Sequence, residues 1–170
     1  MGPRTRFVRE AARRLLRDCR ITEVPVNLQV VSEKLGLAYE EVDYFPDDIE
    51  ALIIKMRERT VAVVNKNFSE TSRRFSLAHE LCHHFLHQDR TVLEDRITMD
   101  SPEFAETEPS GKDPFEAEAD IFAGELLVPL PLLKKHFHPG LTAADVAHLF
   151  AVSESVASIA IVSHYSALFK

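Results

Sequence analysis

His79-Glu80-Leu81-Cys82-His83 is the stretch on which the reading of this chain turns. On a helix, residues four apart project from one face, so the two imidazoles can chelate a single metal ion. The glutamate beside the first histidine can then serve as general base on a water that the metal activates. Turning about 100° per residue from His79 puts His83 at roughly 40° and Glu80 at roughly 100°. Phe75, Ala78, Cys82, Phe85 and Leu86 fall on the adjoining arc, so the polar chemistry borders the buried stripe instead of lying within it. An ordinary amphipathic helix with a surface His-Glu-His cluster would carry the same pattern, so the reading depends on a third ligand.

Two protein ligands hold zinc poorly, and three sources of a third can be compared. One zincin solution is a histidine six residues after the second, with a glycine between; here those positions are Asp89 and Leu86, and the pattern fails. His87 shares the face, but about 12 Å of helix rise separates it from His79, too far for one ion to bind both. His84 points elsewhere, and these two histidines read as surface groups or as supports outside the ligand set. The third source is a glutamate on another helix. Glu116 and Asp120 lie four apart in Phe115–Ala123, on a face bordered by Phe115, Ala119, Phe122 and Leu126. Glu118 and Glu125 fall on the opposite side and are expected in water, so the period selects Glu116 over Glu118. Asp120 suits a supporting role, accepting the free ring N–H of a ligating histidine. Asp113-Pro114-Phe115-Glu116 is also a helix-start signature, and taken alone it fits that role equally well. The pentad's need for a third donor favours the ligand reading. Zinc is the expected ion, with manganese as the alternative.

Composition narrows the class. The 170 residues are 45% apolar and 28% charged, which fits a soluble globular chain of one or two small domains. A net charge of −7 argues against a general nucleic-acid binder. The charge is uneven, because Arg4, Arg6, Arg9, Arg13, Arg14, Arg17 and Arg20 crowd the N-terminal region. Phe7, Val8, Ala11, Ala12, Leu15, Leu16 and Cys19 supply an apolar side, so the arginines read as the wet face of an amphipathic helix rather than a dock for an acidic partner. Cys19 and Cys82 make no disulfide framework. With no long apolar run and no secretory signal, no membrane contact is expected and the cytoplasm is the expected compartment.

Along the chain, helices are predicted near 4–20 and 26–35, the latter ended by Gly36. Residues 37–43 and 50–56 read as extended, and Thr60–Val64 as a buried strand, with a turn at Glu58-Arg59. The pentad helix runs from about Thr71 to His87. Residues 88–112 are acidic and aperiodic, expected to form a long loop that shapes or gates a cleft. A helix from Pro114 to Val128 is ended by Pro129 and Pro131. Thr142 caps a short helix to Phe150, and Ser153 caps a last one to about Leu168.

Arg74-Phe-Ser-Leu-Ala-His-Glu-Leu-Cys-His83, followed by Glu116-Ala-Glu-Ala-Asp-Ile-Phe-Ala-Gly-Glu-Leu-Leu-Val-Pro129, resembles the ImmA/IrrE family of metallopeptidases. The resemblance covers roughly residues 20–165. It implies an α+β fold: a gluzincin-like core with a small antiparallel sheet over residues 1–130, then a helix-turn-helix-like region over 131–170. Leu141–Val156 looks like that region; its lack of a basic face argues against direct DNA contact. The resemblance further implies an anti-repressor that cuts a helix-turn-helix transcriptional repressor. Cys82 departs from the family's usual glycine and reads as core packing, and Asp120 replaces the common asparagine. With the chain ending at Lys170, the sensor-like domain of longer relatives is not expected.

Two functions from different classes follow. One is a zinc endopeptidase, with His79, His83 and Glu116 on the metal, Glu80 as base and Asp120 in support. The other is a non-catalytic metal-containing module that captures a repressor or toxin-antitoxin partner. His87, His164 and Tyr165 are weak candidates for stabilising an oxyanion.

Overall fold

Val61, Ala62, Val63 and Val64 are all buried, because their strand runs through the middle of a sheet. The computed structural model describes residues 2–88 and 113–169. The expected acidic loop lies almost wholly outside the described residues. The elements in order are α1 (Thr5–Asp18), α2 (Leu28–Lys34), β1 (Leu37–Val42), β2 (Ala51–Lys55), β3 (Thr60–Asn65), α3 (Glu70–Leu86), α4 (Pro114–Leu127), α5 (Leu130–His136), α6 (Ala143–Phe150) and α7 (Glu154–Leu168).

The α+β fold is as expected, but the sheet is mixed rather than antiparallel. Its order is β1-β3-β2, with β2 antiparallel and β1 parallel to β3. The hairpin closes where Met56 N–H donates to Arg59 O at 2.8 Å. The parallel pair arises because the chain leaves β1, forms β2 on the far edge and returns between them, a crossover that no local pattern specifies. Gly36, at φ +78°, ends α2 and turns the chain into β1, a conformation that a side chain resists.

α3 and α4 pack against each other, α1 covers the other side of α4, and β2 and β3 lie against α3. One hydrophobic cluster joins these elements, from Val8 and Leu15 through Leu77, Leu81, Phe122 and Leu126 to Phe150 and Ala157. Burying each such large side chain contributes about 1.5–3 kcal/mol before chain entropy is counted.

α5 was not anticipated. Pro129 sits at its N-cap and Pro131 within its first turn. A missing N–H costs nothing there, so the same prolines end one helix and start the next. Thr142 and Asp145 form a reciprocal capping box on α6, and the Ser153 hydroxyl accepts from Val156 N–H on α7. α6 and α7 meet at 111°, within the range of a helix-turn-helix unit. No single helix among the described residues is long and apolar enough to cross a membrane.

Candidate metal centre

Two well-started helices carry the site. The Ser69 hydroxyl accepts from Ser72 N–H at 3.2 Å and opens α3. The Asp113 carboxylate accepts from Phe115 N–H at 3.0 Å and opens α4, with Pro114 in the first turn. Leu77, Ala78, Leu81 and Cys82 bury one face of α3, and Ala119, Phe122, Ala123 and Leu126 bury the matching face of α4. The rings of Phe85 and Phe122 meet across the seam with centroids 6.2 Å apart. That packing fixes the rotation of both helices, and so fixes where their polar flanks meet.

His79, His83 and Glu116 meet there. His79 Nε2 lies 3.1 Å from Glu116 Oε2 and 3.1 Å from His83 Nε2, and His83 Nε2 lies 3.3 Å from Glu116 Oε1. One donor atom from each residue falls within 4.8 Å of the others. Four tetrahedral ligands at about 2.0–2.1 Å from one ion stand roughly 3.3 Å apart, so the spacing suits such an ion. The donor set, two imidazoles and a carboxylate, suits zinc or manganese. Asp120 Oδ1 lies 3.0 Å from His79 Nδ1. This carboxylate accepts the Nδ1 hydrogen and leaves the Nε2 lone pair directed at the cluster.

The electrostatics calls for positive charge. Burial disfavours the charged form of His79, but hydrogen bonds to Asp120 and Glu116 outweigh it and raise the imidazole to about 9. Bonds to His79 and His83 hold the Glu116 carboxyl well below the usual carboxylate range. A site that binds a proton this firmly will also attract a cation. Burial pushes the Glu80 carboxyl upward, and the neighbouring histidines offset part of that effect. A carboxylate moved in that direction is a stronger base. Burial also pushes the Cys82 thiol up, and with no exposed surface it is a packing residue.

Other expectations need correction. Glu118 and Glu125 are not in water; both are buried. Glu118 Oε1 accepts from Arg4 N at 2.8 Å and from Arg4 Nε at 2.9 Å, and its Oε2 lies 2.8 Å from Arg4 Nη2. Those bonds lower the Glu118 carboxyl to about 2. Glu125 accepts from Arg13 Nε at 2.6 Å and lies 2.9 Å from His164 Nε2. The N-terminal arginines therefore do not form a purely solvated face; Arg4 and Arg13 clamp acids on α4. His87 is also buried, 3.1 Å from Glu118 Oε2 and 3.1 Å from His83 Nδ1. The histidine period placed His87 on the right face, but only the tertiary contact identified its partner. Neither His164 nor Tyr165 joins the metal cluster. His164 meets Glu125, about 13 Å along α4 from Glu116, and Tyr165 packs on Phe169.

The sequence profile of the IrrE N-terminal-like domain, a family of M78 peptidases, matches residues 26–161. This chain belongs to that family. The matched span contains both helices that bring His79, His83 and Glu116 together. Eight chains of solved structure match this M78-family protein, among them a Mycobacterium tuberculosis transcriptional regulator. That regulator superposes with a TM-score of 0.61 at 14% identity, covering 89% of this chain and 45% of its own. The likeness establishes a shared fold, and the M78-family chain spans less than half of the regulator's length. No curated protein sequence matches significantly.

Proposed function

We propose that this M78-family chain is a metal-dependent endopeptidase that inactivates a helix-turn-helix transcriptional repressor in the cytoplasm. The observation that carries the reading is the convergence of His79, His83 and Glu116 to 3.1–3.3 Å, with Glu80 next to His79 in the same turn of α3. His79, His83 and Glu116 would hold zinc, or manganese, and Asp120 would orient His79. When bound, the cation acidifies a water and polarises the scissile carbonyl. The Glu80 carboxylate takes the water's proton and delivers it to the departing amine nitrogen. Burial of Glu80 supports this role, because it weakens the hold of solvent on the carboxylate. In this reading residues 1–130 perform the chemistry and residues 131–170 form a helical region beside it.

The test is to incubate the zinc-loaded protein with helix-turn-helix repressors from neighbouring genes and to resolve the products by mass spectrometry. Repressor fragments that disappear in Glu80→Gln are the expected result. An intact, stable complex with no fragments would overturn the enzyme reading in favour of a binding module.

A further inference from the structure

Glu118 receives donors from two directions. Three come from Arg4, through its backbone N, Nε and Nη2, and Oε2 also faces His87 Nε2 at 3.1 Å. A carboxylate so surrounded acts only as an acceptor, so the hydrogen of that bond belongs to His87 Nε2. Arg4 already balances the carboxylate's charge, so His87 need not be cationic. A neutral imidazole with hydrogen on Nε2 has a bare Nδ1. His87 Nδ1 lies 3.1 Å from His83 Nδ1, so the hydrogen between them belongs to His83. His83 then presents a bare Nε2, the atom that faces His79 Nε2 and Glu116 Oε1.

We infer that Arg4, Glu118 and His87 form a positioning relay that fixes the tautomer and ring orientation of His83. The inference rests on the proposed metal centre and extends it to the N-terminal segment. It gives the two histidines matching but separate supports. His79 is set by Asp120 from within the cluster, whereas His83 is set through three groups ending at residue 4. Phe115 holds the member nearest His83, its ring edge-on to His87 with centroids 4.9 Å apart. Side-chain exposure is 2% for His87 and 4% for Glu118, so water does not substitute for either partner. None of the three residues touches the reacting atoms; each acts through the next.

Two variants separate the relay from simple packing. His87→Phe keeps a ring against Phe115 but offers no acceptor to His83. His87→Gln loses the ring but supplies a carbonyl oxygen. Zinc affinity, measured by calorimetric titration of the metal-free protein, is expected to fall about 10–100-fold in His87→Phe and to recover most of that in His87→Gln. Wild-type affinity in His87→Phe, or a greater loss in His87→Gln, overturns the relay. Arg4→Ala is expected to lose up to about tenfold, and unchanged affinity removes Arg4 from it. Ring-nitrogen NMR shifts of the unmutated metal-free protein test the same claim without a variant. Hydrogen on His83 Nδ1 and His87 Nε2 is expected, and hydrogen on His87 Nδ1 overturns the relay. Failure of the unmutated protein to bind zinc would overturn the metal centre itself, whatever the tautomers.

Discussion

Replacing Glu116 and Glu118 separately with alanine should dissociate metal binding from stability, although they lie only two positions apart. The Glu116 side chain is 46% exposed and Glu118 is 4% exposed. Removing the Glu118 carboxylate leaves the buried His87 N–H without its acceptor, at a cost of about 1–3 kcal/mol. Arg4 is half in solvent and rehydrates, so the lost ion pair adds at most about 1 kcal/mol. A total of about 1–4 kcal/mol lowers the Tm of a chain this size by about 2–4 °C for each kcal/mol. Removing Glu116 strips a half-exposed group, and metal-free stability should move by less than about 1 kcal/mol. Zinc affinity should show the opposite order. If four ligands supply about 10–16 kcal/mol, each is worth roughly 3 kcal/mol, so Glu116→Ala should weaken binding by at least about a hundredfold. Glu118→Ala acts only through His87 and should cost about 10–100-fold. Thermal unfolding of the metal-free proteins and calorimetric zinc titration give the two readouts. A Glu116→Ala protein that melts early yet binds zinc normally, or a larger zinc defect in Glu118→Ala, would refute the ligand choice, and unchanged zinc affinity in Glu118→Ala would refute the relay.

Glu80→Gln should retain zinc affinity while repressor cleavage falls about 10²–10⁴-fold, and a variant that still cleaves at the wild-type rate would reject Glu80 as base. Burial pushes Glu125 upward, but bonds from His164, Arg13 and Leu130 N–H outweigh it, so its folded pKa lies below the ordinary 4.5. Its stabilisation is therefore present above pH 4.5 and lost as pH falls through the folded value. Urea midpoints measured from neutral pH downward should fall less steeply below that point in Glu125→Gln than in the wild type, and parallel curves would count against the pairing. Phe122→Ala empties the α3–α4 seam and should cost about 3–5 kcal/mol in urea unfolding, whereas a loss under about 1 kcal/mol would show that the seam is not packed as described.

What sequence alone supplied follows the range of the underlying physics. Caps are local, so Gly36, Thr142 and Ser153 marked helix ends that the structure has in place. The buried run at Val61–Val64 was legible because hydrophobic residues without alternation require cover on both faces. Strand order was not legible, since the parallel pairing of β1 with β3 depends on the path of an intervening hairpin. Proline misled at Pro129 and Pro131, because a helix stop and a first-turn position look alike until the next turn is known. At the candidate site, helical period placed His79 and His83 on one flank and chose Glu116 over Glu118, and the structure brings those three together. Each of those inferences needed only one helix at a time.

The misreading of Glu118 and Glu125 has a different origin. Assigning a helix one dry stripe presumes one neighbour, but α4 packs against α3, α1 and α7. From Glu116, Glu118 and Glu125 lie about 180–200° around the helix, on the side that α1 covers. A helix enclosed in this way meets solvent only along its Glu116–Asp120 flank, so each acid on the opposite side must find a cation inside the protein. The N-terminal arginines supply three: Arg4 reaches Glu118, and Arg13 and Arg9 reach Glu125. An excess of arginine on one helix and of acids around another was the available signal, and it could be read only by considering both helices together. The same clamp that buries α4 holds Glu118 against His87 and therefore couples the packing of α1 to His83.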